Sequence, residues 1–207
     1  LSGTIISGAY CRPFGIDTAE HALAMGVHFR PGGAFPFTRV APSELADSHV
    51  DLETLWGSRA AELRERLCVA ATHRDRSRIL ASALLRQAGR DRGRRAVQLA
   101  LPSLGQHGAR VRDIVSSVGL SHRHFASLFR DEVGMTPKVF VRVQRFQRAI
   151  ARAQERAFTD WATLAGEVGY YDQAHMIRDF AAFAGSTPAE YLRRRSDRVK
   201  DHHVVSS

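Results

Sequence analysis

Two stretches decide the fold: residues 111–129, VRDIVSSVGLSHRHFASLF, and residues 161–180, WATLAGEVGYYDQAHMIRDF. In the first, Val111, Ile114, Val115 and Val118 recur at helical spacing and form one apolar face. Gly119 stops that helix, because glycine takes a left-handed turn without steric cost. Leu120 then drops into the core as an anchor, and Ser121 is a good N-cap for a second helix. That helix buries Phe125, Leu128 and Phe129 at i, i+3 and i+4. Gly134 ends it, and Thr136-Pro137 starts the next, with Thr at the cap and Pro at the first helical position. A helix, a short glycine turn and a second helix is the arrangement that lays the second helix in a DNA major groove.

The second stretch repeats the plan. Trp161, Leu164, Ala165 and Val168 face inward, Gly169 turns, Tyr170 anchors and Asp172 caps. Met176, Phe180 and Phe183 form the expected buried face, and Gly185 closes it before Thr187-Pro188. The copies are offset by 50 residues at Gly119 and Gly169 and by 51 at Phe125 and Met176, so the turn absorbs one added residue. Two copies are too few for a solenoid, and duplicated compact helical modules fit better. Between them the sequence predicts one helix from about Lys138 to Arg156, with Val139, Val143, Phe146 and Ile150 as its apolar stripe. Arg142, Arg145, Arg148, Arg152 and Arg156 recur along it. Such a face either touches phosphates or is simply solvated.

At this point the sequence resembles a known family. Gly119-Leu120-Ser121-x-Arg123-x-Phe125-x-x-x-Phe129 with Gly134-x-Thr136-Pro137 looks like the first motif of AraC/XylS-type transcription regulators. Gly169-Tyr170-x-Asp172-Gln173-Ala174-His175-Met176-x-Arg178-x-Phe180 with Gly185-x-Thr187-Pro188-x-Glu190-Tyr191 resembles the second. The resemblance covers residues 109–193 and departs from the family's usual pattern at Val115, Ser127 and Ala174. It implies a mainly α fold: a homeodomain-like tandem helix-turn-helix domain over 109–195. Phe29-Arg30-Pro31-Gly32-Gly33-Ala34 followed by Leu52-x-x-Leu55-Trp56-Gly57 is similar to the end of the β-rich, often cupin-like sensor domain in a subset of these regulators.

Outward from the repeat, the chain divides further. Residues 1–42, rich in Gly, Pro and Phe, read as short strands and turns, with Ala24 to Phe29 among the apolar pieces. Residues 43–100 read as helices, beginning near Ser43-Glu44-Leu45 and interrupted by a polar break at Arg74 to Arg78. Leu63, Leu67 and Ala70 share one face, as do Ile79, Ala83 and Leu84. The resemblance implies that residues 1–100 are the C-terminal remnant of such a sensor domain with a helical tail. Residues 101–108, Leu-Pro-Ser-Leu-Gly-Gln-His-Gly, read as the linker, and 196–207 as a flexible tail. The chain lacks an initiator Met and opens in what reads as the middle of a strand, so an N-terminal part is expected to be missing.

The bulk properties narrow the partners. The 207 residues carry a formal net charge of +9, and only Lys138 and Lys200 among the 30 basic residues are lysines. Arginine grips phosphates and guanine edges bidentately, so the balance suggests a polyanionic partner; a GC-rich genome would give the same bias. No window reaches the length of an apolar membrane span, and the N-terminus has no basic region of a signal peptide. A cytoplasmic location is expected, with Cys11 and Cys68 as free thiols.

No catalytic residues, cofactor or metal are expected. Arg30-Pro31-Gly32-Gly33 lacks the ending and context of a phosphate loop, and His122 and His124 point in different directions on one helix. The expected partners are double-stranded DNA and RNA polymerase, whether recruited as by an activator or blocked. A small-molecule effector and an oligomer contact are placed on the N-terminal region. The expected DNA-binding residues are His122, Arg123, Ser127 and Arg130 on the first recognition helix, Gln173, Ala174, His175 and Arg178 on the second, and Arg145 between them. The alternative is a small-molecule sensor acting through protein–protein contacts, with weak or degenerate DNA binding.

Overall fold

The computed structural model describes residues 3–14, 24–89, 95–155 and 160–199, with side chains up to 194. Among these residues there are eleven helices and one two-stranded sheet.

The N-terminal part is built on a short antiparallel pair. β1 (Ile5–Ser7) pairs with β2 (His49–Asp51), with Ile6 opposite Val50. Then come α1 (Phe35–Thr38), α2 (Leu52–Trp56), α3 (Ser58–Val69) and α4 (His73–Gln87). Asp51 caps α2 by accepting from the Glu53 amide, and Thr72 caps α4 by accepting from the Asp75 amide. Leu52, Ala60, Leu63 and Ala83 form a small core joined by Ile6, Trp56, Leu67, Ile79 and Leu80. The Trp56 indole donates to the Phe37 carbonyl at 3.0 Å and ties α2 to α1.

Several expectations are corrected here. Ala24 to Phe29 is irregular rather than a strand. Ser43-Glu44-Leu45 makes turns instead of starting a helix, with the Leu45 amide bonded to the Pro42 carbonyl. Asp47 follows at a positive φ of 52°, which no helix accommodates. The strand at 49–51 lies inside the region expected to be helical, because pairing with β1 outweighs local propensity there. The break between α3 and α4 falls at 70–72, and Arg74 to Arg78 belong to α4, whose start the Thr72 cap fixes. The described residues up to 51 thus hold two strands of three residues, far from a β-rich wall.

The expected linker is corrected too. Residues 101–104 are the last turn of α5 (Arg95–Leu104). Val97, Ala100 and Leu104 recur at helical spacing and are fully buried. They pack with Val115, Phe125, Leu128, Phe129, Val133, Phe140 and Val141 in the core of the first helix-turn-helix. Pro102 and Gly105 read as loop punctuation and hid that apolar stripe.

The rest follows the duplicated plan: α6 (Val111–Ser117), α7 (His122–Val133), α8 (Pro137–Glu155), α9 (Trp161–Glu167), α10 (Gln173–Ala184) and α11 (Pro188–Val199). A second core holds Ala149, Ala153, Leu164, Ala165, Val168, Tyr170, Met176 and Phe180. The stripe buried along α8 is Phe140, Val141, Ala149 and Ala153, rotated from the one expected, because this helix serves both cores. Phe146 and Ile150 are half-buried against the second core. Phe183 is likewise half-buried, not core. Arg156 lies outside the described residues, and α11 continues past 196, where the tail was expected. No helix among the described residues is long and apolar enough to cross a membrane.

Candidate nucleic-acid interface

Each helix-turn-helix is set by its turn and caps. Gly119 and Gly169 have φ of 70° and 86°, the left-handed geometry that only glycine adopts freely. Ser121 accepts from the His124 amide at 3.3 Å and starts α7. Asp172 accepts from the His175 amide at 2.6 Å and starts α10. The turn is one residue longer in the second copy: α6 and α9 are offset by 50 residues, and α7 and α10 by 51.

Burial splits both recognition helices into two faces. On α7, Phe125, Leu128 and Phe129 are buried, while His122, Arg123, Ser127 and Arg130 are exposed. On α10, Met176 and Phe180 are buried, while Gln173, Ala174 and Arg178 are exposed. His175 is half-buried, its ring edge-on to Tyr170 at 5.2 Å. Arg178 lies back along its own helix, Nε donating to the Ala174 carbonyl at 3.3 Å. The residues expected to read DNA therefore form two separate groups, one at each recognition helix.

The arginines of α8 brace the fold. Arg142 donates from Nε and Nη2 to Asp179 Oδ1 at 3.0 and 2.7 Å, and its guanidinium lies 5.1 Å from the Phe183 ring centre. Arg145 stacks on Tyr170 at 5.0 Å. Arg148 donates to the Gly105 carbonyl at 2.7 Å, joining the connector to the end of α5. Burial lowers the Arg148 pKa first, and the neighbouring Arg145 lowers it further. Arg152 pairs with Glu155 at 2.8 Å. The Tyr170 hydroxyl is buried and faces the Asp179 carboxylate. Burial, and next the Asp179 carboxylate, push its pKa up.

Sequence reasoning missed Asp179 altogether and placed Arg142 only on an Arg-bearing face. A charged residue one position before buried Phe180 was the signal available. It also missed Asp160, which caps α9 by accepting from the Ala162 and Thr163 amides. A bond from the Thr163 hydroxyl above all, and then those from the amides, hold the Asp160 carboxyl below its ordinary range. Glu190 is lowered likewise, by the Thr187 amide first and then its hydroxyl.

The N-terminal part touches the C-terminal ends of α7 and α10. A methyl group on Gly134, the C-cap of α7, would stand 3.0 Å from the Pro42 carbonyl oxygen and 3.2 Å from Ala9 Cβ. One on Gly185, the C-cap of α10, would stand 3.1 Å from Pro13 Cγ. Between them, burial and then Asp47 push the Cys11 thiol up, while the charge of Arg142 pulls it down. Residues 9–13 thus run across the ends of both recognition helices.

Residues 114–194 match the family described as a helix-turn-helix domain, of the AraC type. Residues 1–51 match a domain of unknown function (DUF6597). No curated protein and no solved structure matches the chain. The C-terminal match supports an AraC-like regulator and indicates DNA-binding transcription regulation in general.

Proposed function

We propose that this chain is a sequence-specific DNA-binding transcription regulator that places α7 and α10 in successive major grooves on one face of the duplex. The observation that carries this reading is the two-faced burial of both helices. Arg123, Ser127 and Arg130 on α7, and Gln173 and Arg178 on α10, stand outside the cores that hold the rest of each helix. Arg178 suits a bidentate contact to guanine O6 and N7. Arg123 suits a base contact, and Arg130, a turn further along, a phosphate. Arg145, partly exposed on α8, lies between the two readers. Because the readers differ, an asymmetric site is expected.

The connector sets the spacing. The 19 residues of α8 span about 28 Å at 1.5 Å each. Successive grooves are about 34 Å apart, so modest DNA bending is expected, costing on the order of 1–6 kcal/mol. The contacts of residues 9–13 with both C-caps favour the N-terminal part as the place where an effector acts on the readers. Footprinting of the intact chain on a duplex selected from random sequence, at fixed salt, tests the reading. Protection over two adjacent turns by one chain supports it. A one-turn footprint, or binding only as a symmetric dimer on a palindrome, overturns it.

A further inference from the structure

The residue added to the second turn is Tyr171. Aligning the anchors Leu120 and Tyr170, and the caps Ser121 and Asp172, leaves Tyr171 without a counterpart in the first copy. It is 93% exposed, the most exposed large apolar side chain among the described residues. Its neighbours are fully engaged: Tyr170 is 5% exposed beneath Arg145 and His175, and Asp172 holds the His175 amide. Tyr171 therefore serves neither core nor cap. Leaving an aromatic ring in water forgoes the gain from burying it.

Its position suggests what covers it. Tyr171 directly precedes the N-cap of α10, beside exposed Gln173 and Ala174. A recognition helix presents its N-terminal residues to the groove, so the residue ahead of the cap reaches the groove edge, where phosphates lie. The positive end of the helix dipole sits there as well.

We propose that Tyr171 is a backbone contact of the second helix-turn-helix, its ring against a deoxyribose and its phenol donating to a phosphate oxygen at the groove edge. This rests on the reading that α10 enters a major groove. The contact belongs to one half-site only, because the shorter first turn has no such residue.

The test is binding of the intact chain, its Y171F and its Y171A variants to the selected duplex and to random duplex over a range of salt. Y171A should bind both about threefold to tenfold more weakly, and Y171F should show a smaller loss of the same kind. The salt dependence should stay unchanged, because a neutral phenol releases no counterion, whereas loss of an arginine–phosphate contact lowers it. One methylphosphonate that weakens the wild type should add no further loss to Y171F. Wild-type binding by Y171A overturns the proposal and leaves the exposed ring to a protein partner. A loss confined to the selected duplex also overturns it, by making Tyr171 a base reader. A wild-type chain that binds no duplex overturns the parent reading, and this one with it.

Discussion

Arg142 on the connector grips Asp179 on the second recognition helix through two hydrogen bonds to one carboxylate oxygen, across 37 residues of sequence. Asp179 is 1% exposed, and its second oxygen is buried as well. Arg142 keeps 36% of its side-chain exposure. Removing one partner of a buried pair costs about 3–5 kcal/mol, because the other charge is stranded; partial exposure of the arginine sets the low end here. Arg142→Met should therefore destabilise by about 3 kcal/mol. Asp179→Leu should cost less, because the freed arginine can reach water. The double variant should cost less than the sum in urea denaturation, and strict additivity would refute the brace.

The Tyr170 phenol gives the same region a pH signature. Its pKa in the folded state is raised, chiefly by burial. Unfolded tyrosine ionises near pH 10, while the folded chain still holds the proton. The stabilisation is thus fully present below about pH 10 and is lost as pH rises above it. Tyr170→Phe should show a shallower alkaline loss of stability. Parallel alkaline unfolding curves for the two proteins would count against this.

Residues with local, periodic patterns were legible in the sequence; residues that act at long range were not. Phe125, Phe129, Met176 and Phe180 recur at helical spacing beside turn glycines, and all four are buried. The pairing of Ile6 with Val50 depends on distant chain and left no local trace. The brace was hidden because an arginine with a buried partner and an arginine in water look alike in a helix pattern. Of the candidate site, exposure of Arg123, Ser127, Arg130 and Arg178 followed from helical spacing, but His175 packs on Tyr170, which spacing could not show. The α5 stripe was masked by Pro102 and Gly105.

A fragment beginning at residue 106 lacks Val97, Ala100 and Leu104, all 0–1% exposed in the first core. Burying a Val or Leu side chain contributes about 1.5–3 kcal/mol, so their loss approaches the whole stability of a small domain. The 106–207 fragment should show a markedly lower melting temperature, or none, compared with 95–207. Equal melting of the two would mean that α5 is dispensable.

Arg178 is the sharpest reader proposed. Its exposed side chain rests on the Ala174 carbonyl through one weak 3.3 Å bond, which is easily given up for DNA. Arg178→Ala should weaken the selected site by about 1–3 kcal/mol and relax the preference at one base pair. Equal loss on selected and random duplex would place Arg178 on a phosphate instead.

The connector offers the test that separates two readers from one. Phe146 sits at its middle but packs on Phe180 at 4.8 Å and on Phe183 at 5.4 Å, so replacing it would damage the second core as well. Gln147 is exposed beside it. A proline there removes one helix hydrogen bond and clashes with the preceding turn, at a cost of about 3 kcal/mol, without deleting the Phe146 ring. If α8 holds the two recognition helices one groove apart, Gln147→Pro should abolish tight binding to the two-turn site. Each unit should keep its helix content by circular dichroism and its weak binding to random duplex. Retained affinity and spacing preference on the two-turn site would show that the connector does not set the distance between the readers.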